Sequence, residues 1–134
     1  MPNPLPEAIV APDAPPPAGH YAAGVRAGGF IYVSGQLPVA VDRTPRADLD
    51  FADQARLALA NMLAVVRAGS GSPAGIVKVT AYIVGVEHWP VFNTVYAEVM
   101  GEARPARVVV PVPELHHGCL VEVEAIAVVE GTGA

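Results

Sequence analysis

Residues Ile76 to Val86 read IVKVTAYIVGV, and in this run Val77, Val79, Ala81 and Ile83 alternate with Lys78, Thr80 and Tyr82. A repeat of two puts successive side chains on opposite sides of an extended backbone, so the run is expected to be a strand with one drier face. On its N-terminal side, residues 51–68 space Ala55, Leu57, Leu59, Met62, Leu63 and Val66 mostly by three and four, with Asp53 and Arg56 on the other side. That spacing predicts an amphipathic helix. Asp50 stands where an N-cap is needed, Asp53 complements the first turn, and Gly69 offers a stop. On the C-terminal side, Pro90 suits the first turn of a second helix that carries Val91, Val95 and Val99 and closes at Gly101.

Further out, FIYVSGQL at 30–37 follows Gly28-Gly29 and reads as a strand entered from a tight turn. The proline- and charge-rich PVAVDRTPRADLD that follows reads as an exposed loop. Two more strands are expected at 106–112 (ARVVVPV) and 119–130 (CLVEVEAIAVVE), joined by PELHHG and paired with each other. Strands interleaved with helices in this order predict an α+β domain, a mixed sheet with both helices packed on one face. Residues 1–18 hold seven of the fourteen prolines, including Pro15-Pro16-Pro17, which favour extended backbone. The expected organisation is a proline-rich arm over 1–14, a single domain over 15–130 and a short tail over 131–134.

Hydrophobic residues make up 52% of the chain and charged ones 16%, more apolar surface than a lone domain of 134 residues needs, which points to an oligomer. Thirteen acidic against eight basic residues give a formal charge of −5, which repels phosphate backbones and argues against a nucleic-acid partner. Cys119, the single cysteine, has no internal disulfide partner, and the N-terminus has no basic region followed by an apolar core, so a cytoplasmic location is expected. The longest stretch without Asp, Glu, Lys or Arg, Ala27 to Val41, is too short to span a bilayer, so no membrane partner is expected.

Arg107 follows Arg104-Pro105-Ala106 and opens a run of three valines, so its guanidinium starts beside apolar walls. A guanidinium half removed from water favours a planar anion, and a carboxylate can accept two parallel hydrogen bonds from it. Two readings stand side by side: a clamp for a ligand carboxylate, or an ion pair with Glu122 or Glu124. Those glutamates, two apart, share a strand face with Leu120 and Ile126, while Val121, Val123, Ala125 and Ala127 take the other. A carboxylate on so apolar a strand is either paired or has its pKa moved by desolvation, and either condition can serve a site. His116-His117 does not make a metal site, because neighbours on an extended chain point apart and only Cys119 stands near them. Cys119, on the side of Val121 and Val123, reads as a small buried residue. Ser34 lacks the flanking glycines of a nucleophile elbow and has no assignable base, and neither a G-x-G-x-x-G turn after a strand nor a G-K-[ST] stretch is present.

Gly19-His20-Tyr21, Ile31-Tyr32-Val33-Ser34-Gly35-Gln36, Leu59-Ala60-Asn61, Val77-Lys78-Val79-Thr80, Asn93-Thr94-Val95-Tyr96, Arg104-Pro105-Ala106-Arg107 and Val121-Glu122-Val123-Glu124-Ala125 together resemble the Rid/YjgF family in order and spacing. The resemblance covers about residues 15 to 129. It implies a chorismate-mutase-like α+β fold and a homotrimer with three clefts at subunit interfaces. There, enamine or 2-imino acid intermediates would be hydrolysed to 2-keto acids and ammonia, with neither cofactor nor metal. It also implies that Arg107 binds the substrate carboxylate, that Glu122 places the attacking water, and that Tyr21, Ser34 and Asn93 line the cleft. Arg107 of one subunit would then face Tyr21 and Asn93 of its neighbour.

Three positions depart from the family pattern. Val109 stands where a cysteine is common, His20 replaces the usual proline before the cleft tyrosine, and Leu115-His116-His117-Gly118 replaces a loop in which a proline and a lysine are common. Either histidine region, if turned into the cleft, could tune activity or meet a second polar group of a larger substrate. Competing readings are a non-catalytic trimeric binder of small carboxylates, an endoribonuclease or translation inhibitor, and a holdase-like chaperone.

Overall fold

Helix α1 (Phe51–Ala68) starts where the Asp50 side chain accepts the Asp53 backbone N–H, and it stops at Gly69, whose N–H returns to the carbonyls of the last turn. In the computed structural model, which describes residues 5–131, α1 lies beside α2 (Trp89–Met100). Both cover one face of a six-stranded sheet of β1 (Glu7–Ile9), β2 (Gly24–Ala27), β3 (Phe30–Gln36), β4 (Ile76–Val84), β5 (Ala106–Val112) and β6 (Val121–Val128). Residues 1–4 of the expected arm and 132–134 of the expected tail lie outside the described residues.

The strand order is β1-β2-β3-β6-β4-β5, antiparallel throughout except for the parallel pair β4 and β5. The α+β mixed sheet is therefore as expected, but the last two strands do not pair with each other. The crossover through α2 lays β5 parallel to β4 on its outer side, and β6 returns antiparallel into the gap between β3 and β4. Strands β1 and β5 form the two edges.

Four further differences are local. The proline-rich segment is not detached: between Pro6 and Pro12 the chain pairs Glu7–Ile9 with β2, and Ile9 and Ala14 are buried in the core. Strand β2 was hidden because it has only four residues. It joins β3 through Gly28-Gly29, both at positive φ (60° and 83°), the two-residue turn that matches strand twist. Val77 is exposed and Ile76 buried, because the β4–β6 register shifts between Ile76 and Lys78 and moves the alternation by one. On α2 the buried stripe is Phe92, Val95, Tyr96 and Met100, and Val91 faces outward.

The core lies between the helices and Ile31, Val33, Val79, Ala81, Ile83, Val121, Val123, Ala125 and Ala127. Burying such a side chain contributes about 1.5–3 kcal/mol relative to leaving it in water. Cys119 is buried beside this layer, as its strand parity predicted, and burial raises its thiol pKa.

Candidate active site

Arg107 is the second residue of edge strand β5, opposite fully buried Val79 of β4, so its side chain leaves the sheet on the helix-covered side. There it meets α2. Its Nη1 donates to Asn93 Oδ1 at 3.1 Å, and its guanidinium carbon lies 4.8 Å from the centre of the Tyr96 ring and 5.9 Å from that of Phe92. Two aromatic faces and one amide oxygen hold the half-buried guanidinium from one side and leave N–H donors free for an anion on the other. Val109 follows two residues later on the same side and packs against the core.

Glu122 lies opposite Tyr82 on β6, on the sheet face turned away from the helices. Its carboxylate runs along β3 at Gly35, where a Cβ would come within 2.6 Å of Glu122 Oε2. Only glycine leaves that room. Glu122 borders an open cleft with Tyr21, Ser34, Gly35, His116 and His117. Ser34 Oγ donates to the Ala22 carbonyl at 2.6 Å, which ties β3 to the loop carrying Tyr21. Burial raises the Glu122 pKa, the nearby His116 draws it back, and Glu124 pushes it up further. Glu124 is itself engaged, accepting from Tyr82 Oη at 2.6 Å.

Sequence parity separates the two central residues. Arg107 stands on the covered face and Glu122 on the open one, so neither Glu122 nor Glu124 is an ion-pair partner for Arg107 within the chain. Tyr21, Ser34 and Glu122 are brought together; Asn93 is not with them. It belongs to Arg107's half, contrary to the expectation that it faces Arg107 from a neighbouring subunit. The histidine expectation also changes. His117 takes a left-handed conformation (φ 62°, ψ 16°) inside a single 3-10 turn, His116–Gly118, and this fold of the chain brings both imidazoles to the cleft, 6.3 Å apart between ring centres. His20 is exposed and lines neither this cleft nor the pocket beside it.

Residues that carry no chemistry position the cleft from beneath. Buried Gln54 of α1 accepts the Leu120 N–H at 2.9 Å and donates to the Leu49 carbonyl at 2.9 Å, which anchors the start of β6. One helical stretch on, buried Asn61 donates to the Leu37 and Val39 carbonyls at 3.1 and 2.9 Å and holds the loop after β3. Both sit among apolar neighbours on the buried side of α1, and a polar residue at such a spacing is the signal that could have marked them. Gly35 left no such signal.

This architecture has well-matched relatives. The family model described as Endoribonuclease L-PSP matches residues 11–129. The chain belongs to that family, the Rid/YjgF proteins. A RutC family protein of Pyrococcus horikoshii is 38% identical over 90% of this chain and 96% of its own length. A 2-iminobutanoate/2-iminopropanoate deaminase of Dermatophagoides farinae is 36% identical over 91% of this chain and 95% of its own. The crystal structure of the YjgF gene product of Escherichia coli superposes with a TM-score of 0.85 at 34% identity, covering 92% of this chain and 99% of that one. Among the described residues, no helix is long and apolar enough to cross a membrane.

Proposed function

We propose that this Rid/YjgF protein hydrolyses 2-imino acids and their enamine tautomers to 2-keto acids and ammonia, in clefts completed between copies of a homotrimer. The observation that carries the reading is the split site: a buttressed, anion-ready Arg107 on one side of the sheet and a desolvated Glu122 on the other. Two such halves complete each other only when different copies supply them. The partly exposed sheet face with Tyr32 and Val108, and the apolar excess of the composition, agree with association through that face. Relatives named as imine and reactive-intermediate deaminases support the reaction class.

In this mechanism Arg107 grips the substrate carboxylate through two parallel N–H donors and fixes the imine carbon over Glu122. Ionised Glu122 accepts a hydrogen bond from the attacking water. The water oxygen forms a bond to the imine carbon, its protons pass to nitrogen, and the carbon–nitrogen bond breaks to release ammonia and the 2-keto acid. A protonated imine is already electrophilic, so orientation and one positioned water suffice. Arg107→Ala and Glu122→Gln are each expected to lower kcat/KM for enzymatically generated 2-iminopropanoate by about a hundredfold. Unchanged rates in folded, correctly assembled variants would refute the mechanism and leave a carboxylate binder.

A further inference from the structure

Beside the Glu122 cleft lies a second, more enclosed pocket, and the two share Ala18, Tyr21, Gly35, Leu37 and His117. Pro15, Pro16 and Pro17 wall it on one side, Leu37 and Val39 on another, and Arg43 reaches it from the loop after β3. It contains no carboxylate. The Arg43 guanidinium gives one Nη to the Pro17 carbonyl at 3.0 Å, which pins it to the proline wall and leaves its other donors free. Among the described residues no Asp or Glu forms an ion pair with it. Its neighbour Asp42 accepts the Thr44 backbone N–H at 2.9 Å.

Backbone conformation singles out the same place. Among the described residues, three non-glycine residues adopt positive φ, namely Arg43 (74°), Ser70 (71°) and His117 (62°), and two of these three line this one pocket. Such conformations are strained and persist where surrounding contacts over-determine them, commonly at ligand sites. Here a turn closed by Arg43 N–H to the Ala40 carbonyl and the 3-10 turn at His117 hold them. Both turns bring an exposed residue with nitrogen donors to the wall of a slot whose other polar side chains are Tyr21 and Gln36, with His117 on the side shared with the Glu122 cleft.

We propose that this slot receives the side chain of a 2-imino acid ending in a second carboxylate, with Arg43 and His117 as its receptors. The inference rests on the deaminase reading above and extends it to a substrate class, the imines of 2-oxo dicarboxylic acids. The α-carboxylate would lie on Arg107 of another copy and the imine carbon over Glu122. The side chain would pass Tyr21 and His117 into the proline-walled slot.

The test compares 2-iminoglutarate, 2-iminobutanoate and 2-imino-4-methylpentanoate, each generated by an amino acid oxidase, with the full-length assembled protein. The expected kcat/KM is about tenfold or more higher for 2-iminoglutarate than for either monocarboxylate. Arg43→Asn and His117→Asn, chosen because Asn tolerates positive φ, are each expected to bring that ratio down about tenfold. Equal or better use of 2-imino-4-methylpentanoate, or a ratio indifferent to both variants, overturns the proposal. Calorimetric titration separates the two levels of inference. If no imine is turned over but 2-oxoglutarate binds more tightly than 2-oxobutanoate and loses that advantage in Arg43→Asn, the slot stands and the deaminase reading falls. No such advantage removes the slot.

Discussion

Under α1 and α2 the sheet presents Val79, Ala81, Ile83, Val121, Val123 and Ala127, all fully buried; the same strands turn Thr80, Tyr82, Glu122, Glu124 and Ile126 to the other side, where each is partly open to water. One period-two alternation thus puts the core on one face and the two carboxylates on the other. Arg107 is the exception, because it reaches the covered side at the sheet margin, where α2 supplies Asn93, Phe92 and Tyr96 to hold it. On the reading proposed above, the contrast teaches that a single copy of the chain is a finished core carrying two half-sites that another copy would complete.

The strongest way to break that view is subunit complementation. Arg107→Ala and Glu122→Gln homo-oligomers, each depleted about a hundredfold, are expected to regain activity when unfolded and reassembled together. With random mixing, about a quarter of the clefts would pair an intact arginine half with an intact glutamate half. Recovery absent from co-assembled, correctly sized species would mean that both residues act from one copy.

Gly35→Ala sharpens the contrast at the level of one methyl group. The atom it would strike is the end of a flexible carboxylate, so the fold can yield there: the expected loss of stability is at most about 1 kcal/mol in urea denaturation. Activity is expected to fall about tenfold, because Glu122 must leave its place. A large stability loss with normal turnover would show that the open face is packing and not site.

The smallest expected effect is on pH. In the proposed mechanism Glu122 works ionised, and burial raises its pKa, so activity should fall as pH drops through a limb lying above the ordinary glutamate value of about 4.3. Because His116 draws that pKa down, His116→Ala should move the limb to higher pH in a kcat/KM profile. The sign for stability is the reverse of a salt-bridged carboxylate. A raised folded-state pKa gives stability that is complete below the ordinary value and declines as pH rises through the raised one.

Helix α1 was legible almost to the residue, since Asp50, Asp53 and Gly69 mark its ends and its stripe spans five turns. Strands β3 to β6 were legible from alternation and β-branched content. The pairing of β6 between β3 and β4 was not, because strand order depends on contacts distant in the chain. Parity told which residues share a face with Glu122, but not which face the helices would cover, and that decides whether Arg107 and Glu122 can meet. Short β1 and β2 carry too few residues for a period to emerge. Gly35, Gln54 and Asn61 matter only through what approaches them in three dimensions.

The two edges of the sheet have a further consequence. Strand β1 is three residues long between Pro6 and Pro12, and β5 carries Pro111 with Pro113 just beyond it. Proline offers no N–H to an incoming strand, so neither margin is a template for endless strand addition. An apolar chain of this kind could grow into fibres by its margins; here the prolines at both margins work against open-ended stacking.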